Sequence, residues 1–144
     1  MKRISFIFIA LALLGAAAGA VAQTKVYKEG QVTEVSYIKT KPGKFDDYMA
    51  FLDTTYKALM EAEKKAGLVV SYGVYMAWAR TPHDPDLILT VTYPNMAALD
   101  RIDEEEAVEA KVVGSMAVQS KQFADREAIR EVLGSQLIRE LNLK

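Results

Sequence analysis

The strongest pattern in this chain is a run without charge. Leu68–Trp78, LVVSYGVYMAW, is eleven residues long and contains no acidic or basic side chain. A strand with one wet face alternates apolar and polar positions, so so uniform a run predicts a strand covered on both faces, the central one of a sheet. One small domain supplies helices for one face only, and the second layer is then expected from an identical subunit.

The flanking patterns fill in the sheet. Gln23–Gly30 is polar and reads as a loose lead-in, followed by a first strand at Val32–Lys39, VTEVSYIK. Both of its side-chain sets, Val32/Glu34/Ser36/Ile38 and Thr33/Val35/Tyr37/Lys39, mix apolar with polar residues, which predicts a place nearer a rim. Lys41-Pro42-Gly43-Lys44 ends the strand and opens a helix, because proline is tolerated in a first turn. Phe45, Tyr48, Met49, Leu52, Tyr56, Leu59 and Ala66 recur at three-and-four spacing, Lys57, Glu61, Lys64 and Lys65 take the solvent side, and Gly67 closes the helix. That makes about 24 residues, or roughly 36 Å.

Ala79–Pro85 holds two prolines and reads as a loop. Asp86–Tyr93 returns antiparallel to the neutral run, with Leu87, Leu89, Val91 and Tyr93 on one side. Asn95 or its neighbour is placed to cap a short helix over Met96–Ile102. Val108, Val112, Met116, Ser120 and Phe123 mark a second long helix, with Gly114 as its weak point. Val132–Lys144 fits a helix through Leu133, Leu137 and Leu141, and equally fits a strand with Leu137, Arg139, Leu141 and Leu143 on one side. Strand is the reading that completes the sheet. The resulting order β-α-β-β-α-β predicts an α+β, ferredoxin-like domain with an antiparallel sheet over residues 31–144.

The first residues change the compartment. Lys2 and Arg3, the apolar Ile4–Leu14 and the small Ala20-Val21-Ala22 have the three parts of a signal peptide cleaved after Ala22, and the apolar run is shorter than a spanning helix needs. A periplasmic or secreted bacterial protein is expected, without stable membrane insertion after cleavage. Losing Lys2 and Arg3 takes the basic residues from 18 to 16 against 19 acidic ones, a net charge of −3. So mild a balance gives no footprint for nucleic acid. With no cysteine there is neither disulfide nor thiol nucleophile, and 51% apolar composition must stabilise one domain through its core.

The runs VSYIKTKPGKFDDYMAFL, KKAGLVVSYGVYMA and DLILTVTYPNMAALD together resemble the dimeric α/β-barrel superfamily. That superfamily includes antibiotic-biosynthesis monooxygenases, haem-degrading monooxygenases, and stress-responsive and NIPSNAP-type domains. The likeness covers residues 31 to about 102, and among its members the chain is most similar to exported ones without an assigned activity. It implies a homodimer in which two sheets face each other, with ligands held between sheet and helices. Haem-degrading members pair a histidine with an asparagine on the first strand and a tryptophan; Val32–Lys39 has no asparagine, so the resemblance does not extend to haem, and no cofactor is expected.

Several residues are candidates for chemistry. Tyr37, Tyr48, Tyr56, Tyr72, Tyr75 and Tyr93 lie on three strands and one helix and could converge on a polar aromatic or quinone-like ligand, although packing and dimer contacts also account for most of them. Trp78 could stack on an aromatic molecule or simply sit at the rim of the core. Glu34 and Arg139 are the charged residues expected to face inward, Glu34 as a general base or as one half of an ion pair. His83, the only histidine, is a proton shuttle or a solvated turn residue. The acidic run Asp100–Glu109 lacks calcium-loop spacing, and no phosphate loop, serine elbow or zinc helix motif occurs. Three functions follow: a carrier of a small apolar or aromatic ligand; a cofactor-independent monooxygenase or isomerase using Glu34, Tyr72 or His83; and a structural dimerisation module.

Overall fold

A computed structural model describes residues 25–144; the expected signal peptide at 1–22 lies outside them. Four antiparallel strands form one sheet in the order β2-β3-β1-β4, where β1 is Tyr27–Thr40, β2 Ser71–Met76, β3 Leu87–Tyr93 and β4 Arg130–Leu143. Between β1 and β2 run α1 (Phe45–Phe51), a π-helical turn (Leu52–Tyr56) and α2 (Lys57–Lys65), one continuous helix in three parts. A 3-10 turn (Met96–Asp100), α3 (Ile102–Val112) and α4 (Met116–Glu127) connect β3 to β4. This is the ferredoxin-like order, with the tail as a strand and not a helix.

Two placements differ from the sequence reading. The neutral run does not form the central strand. Leu68 and Val69 are buried at its start, but Ser71–Met76 is an edge strand and Trp78 is 85% exposed. Conversely, the mixed Val32–Lys39 lies inside β1, which pairs with β3 on one side and β4 on the other. Sheet order is set by long-range pairing, and composition reports only what covers each face. The lead-in is also shorter than expected, because Tyr27–Gly30 already belong to β1 and pair with the end of β4.

Register fixes which side chains share a face. Val32, Ile38, Leu87 and Leu89 point to the helices and are buried, and Ile38, Leu87 and Leu89 pack with Tyr48 and Leu52 as the core. Burying each such side chain stabilises the fold by about 1.5–3 kcal/mol. On the opposite face stand Thr33, Val35 and Tyr37 of β1, Ile88, Thr90 and Thr92 of β3, Tyr75 of β2 and Ile138 of β4. Among the described residues no helix lies on that face. Thr33 and Thr92 share a hydroxyl hydrogen bond of 2.9 Å there, and the Tyr75 ring lies across Gly73, where an added Cβ would stand 2.6 Å from it.

The connections follow local chemistry. Gly67, at φ 70°, ends α2 in the left-handed conformation that glycine adopts without a Cβ clash. Asn95 caps the 3-10 turn, its side chain accepting from the Ala98 backbone N–H at 3.2 Å. Gly114, at φ 110°, divides the expected second helix into α3 and α4. This break turns the expected apolar stripe outward: Met116 is 79% and Phe123 54% exposed. The half-buried positions of α4 are instead Gln119, Gln122 and Arg126, a polar stripe at three-and-four spacing.

Candidate functional site

The site is built where the helix meets the edge of the sheet. A cleft of about 210 Å³ opens there, walled by Met49, Leu52 and Val74, with Tyr56, Tyr72 and the ion-paired Asp53 and Lys57 at its side. The two tyrosine rings meet edge to face, 5.9 Å between centroids at 85°. Tyr56 ends the π-helical turn, a distortion that recurs at functional sites because the extra residue re-aims a side chain. Its hydroxyl is buried and has no hydrogen-bond partner among the described residues. Burial, with the neighbouring Tyr48, Glu63, Tyr72 and Tyr93, holds that phenol well above the ordinary tyrosine range.

Beside Tyr56 lies an acidic group between helix and sheet. Glu63 of α2 is only 8% exposed, and burial, with repulsion from Glu105 and Glu109 of α3, pushes its carboxyl up to about 7. Tyr93, at the end of β3, is pushed up to about 12 by burial and by the charges of Glu105, Glu34 and Glu63. Glu105 is itself raised, first by burial. A carboxyl that titrates near neutrality can hold or release a proton at physiological pH.

The candidates from the sequence divide into two sets. Tyr72 and Tyr93 stand at this layer, Glu34 faces it from β1 opposite Val91 and Leu137, and Tyr48 is buried next to it, its ring stacked on Phe51 at 6.0 Å. The Tyr72 hydroxyl donates to the Glu61 carboxylate at 2.9 Å. The others lie elsewhere. Tyr37 is on the helix-free face, accepting from the Gln136 amide at 3.0 Å, and Trp78 and His83 are exposed on the β2–β3 loop. Arg139 shares the inward face with Glu34 but pairs with Glu29 at 2.9 Å.

Tyr56 is among the tyrosines that the sequence offers for a ligand, and the residue of the layer that sequence reasoning misses is Glu63, which carries a signal of its own. Glu63 falls at the same spacing, three beyond Met60 and seven beyond Tyr56, where a charged residue is out of place. Among the described residues no three His, Cys, Asp or Glu side chains gather to hold a metal ion, and no helix is long and apolar enough to cross a membrane.

No protein-family model matches the chain, and no curated protein does. Solved structures do. The chain is similar to SO0527 from Shewanella oneidensis (TM-score 0.51, 15% identity, covering 81% of this chain and 98% of that one). It is also similar to HapK from Hahella chejuensis (0.50, 13%, 76% and 91%). A third likeness is to a protein from an uncultured marine organism described as a dimeric ferredoxin-like protein (0.50, 11%, 81% and 98%). At these identities the likeness is one of fold, and the fold of this chain is ferredoxin-like.

Proposed function

We propose that this chain is an exported, homodimeric α/β-barrel protein that holds a small, neutral aromatic molecule between its helix and its sheet. The observation that carries the ligand is the Tyr56–Tyr72 cleft: a mostly apolar lining and two aromatic rings at right angles, with the unpartnered Tyr56 hydroxyl buried beside it. Its volume suits one or two rings. The dimer is supported by the helix-free face, whose middle positions Val35, Tyr37, Ile88, Thr90 and Ile138 are all uncharged. Membership of the antibiotic-biosynthesis-monooxygenase and NIPSNAP-like superfamily rests on the sequence runs quoted above, and export to the periplasm or medium on residues 1–22.

The test is calorimetric titration of the mature chain with 1-naphthol and 1,4-naphthoquinone. Saturable binding that Tyr72→Ala abolishes is expected; wild-type protein that takes up neither compound contradicts the carrier reading. The mass of the mature chain reports the cleavage site, expected after Ala22.

A second reading, a cofactor-independent monooxygenase or isomerase, is favoured by Glu63. A buried carboxyl near neutrality in this layer is placed better than exposed His83 to take a proton from a bound phenol. Recovery of the guest chemically altered after incubation in air, with a rate that rises through about pH 7 and is lost in Glu63→Gln, selects this reading over simple carriage.

A further inference from the structure

The polar stripe of α4 leads to a different site. Arg126 and Arg130 are half-buried neighbours, and neither forms an ion pair with any described residue. The Arg126 Nε, and the Nε and Nη1 of Arg130, are buried and lack hydrogen-bond partners among the described residues. The Arg126 guanidinium is fixed between two rings, 5.2 Å from the centre of Phe51 and 5.7 Å from that of Phe123, and Arg130 lies 5.7 Å from Tyr48. Stacking of this kind holds the planar fork in one orientation and removes much of the entropy cost of binding a planar anion. Burial and the nearby Arg130 charge weaken Arg126's hold on its proton, and the carboxylates of Glu109 and Glu127 offset this only in part, neither lying within ion-pair distance of either guanidinium.

Space is arranged beside them. A narrow, partly open chamber of about 30 Å³ lies between the first helix and the α3–α4 pair, lined by Tyr56, Gln119, Gln122 and Arg126 among others. It adjoins an open groove of about 340 Å³ lined by Ser120 and Phe123, and Glu109, Gln119 and Arg126 belong to both. The chamber matches a small planar head group; the groove has room for a body several times larger, with an aromatic side chain to lie against. Tyr56, whose hydroxyl is likewise buried and unpartnered, also lines the chamber.

From this arrangement we infer a binding site for a small organic monocarboxylate, its carboxylate in the chamber on Arg126 and its apolar body in the groove on Phe123. Glu109 at the junction sets the specificity. A single negative charge facing Arg126 is accepted, and a second one beside Glu109 is repelled, so monoanions are preferred over dianions. The site is separate from the neutral-aromatic cleft, sharing with it only Tyr56.

The experiment follows the Arg126 Nε–H resonance of ¹⁵N-labelled mature protein while sodium benzoate is added, with affinities from calorimetry. Benzoate is expected to shift that resonance saturably. Benzamide, phthalate and inorganic phosphate bind about tenfold more weakly or worse, Arg126→Gln lowers benzoate affinity by about tenfold or more, and Tyr72→Ala leaves it unchanged. Because Tyr72 lines only the other cleft, failure of one site is distinguishable from failure of the other. The inference is overturned by an Nε–H signal that benzoate does not move, by phosphate or benzamide binding as well as benzoate, or by equal losses in the two variants. It is overturned too if the resonance shifts with protein concentration alone, since the carboxylate then comes from a second copy of the chain. If Arg126→Gln fails to fold, the wild-type titration decides.

Discussion

The two faces of the one sheet are made by alternate residues of the same strands, yet they meet different surroundings. On the helix side, Val32, Ile38, Leu87 and Leu89 are sealed, and the polar groups that share this side, Glu34 and Tyr93, are drawn into a layer with Glu63 and Tyr56. On the other side, Val35, Tyr37, Ile88 and Ile138 carry the same kind of apolar and aromatic surface but remain partly open, and Tyr75 is 55% exposed. The middle of this face is uncharged, with Lys39, Glu131 and Glu140 kept to its ends, which is the pattern of a surface suited to a partner. The difference teaches that intrachain cover stabilises the fold, while the second face is left as the surface on which the proposed dimer would form.

Substitutions on the two faces should therefore behave differently. The largest effect is expected at the sealed core: Leu87→Ala should cost about 2–5 kcal/mol in urea unfolding, by the same amount at every protein concentration. Placing a charge on the open face, as in Tyr37→Asp, should abolish the dimer in sedimentation experiments while far-ultraviolet circular dichroism stays native, because each subunit keeps its own core. Loss of all secondary structure in that variant would erase the distinction between the faces.

Glu63 sharpens the comparison on the buried side. Its carboxyl is raised from an ordinary value of 4.5 to about 7, so the native state binds the proton more tightly than the unfolded chain. Its contribution is therefore present below about pH 4.5 and is lost as pH rises toward 7. Glu63→Gln should flatten that slope and leave the variant more stable than wild type at pH 8, by about 1–3 kcal/mol. A wild-type stability that rises between those pH values for this group, judged by difference from the variant, would contradict the assignment. The smallest effect is expected at His83→Ala, on the exposed loop, with unfolding changed by less than about 0.5 kcal/mol.

The sequence showed element order well and element position poorly. Strong local signals, the Gly67 stop, the Asn95 cap and the alternation of Leu87–Tyr93, are decided by neighbours in the chain, and they appear in the structure as read. The exchange of places between β1 and β2 was hidden because a neutral strand at a sheet edge and a neutral strand at a sheet centre have the same composition. Gly114 was recognised as weak, but only the break itself shows that it rotates α4, hiding Gln119, Gln122 and Arg126 while exposing Met116 and Phe123. Of the site, the tyrosines were legible from their spacing. Glu63 was masked by the charged EAEKK around it, and Arg126 by the expectation that an inward stripe is apolar.

The most direct test of the central claim is an isotope-filtered NOE measurement on a mixture of labelled and unlabelled mature chains. Contacts between subunits are predicted among the methyl groups of Val35, Ile88 and Ile138, from one helix-free face to its copy. A monomer without such contacts, or a dimer whose contacts all lie on the helices, would contradict it.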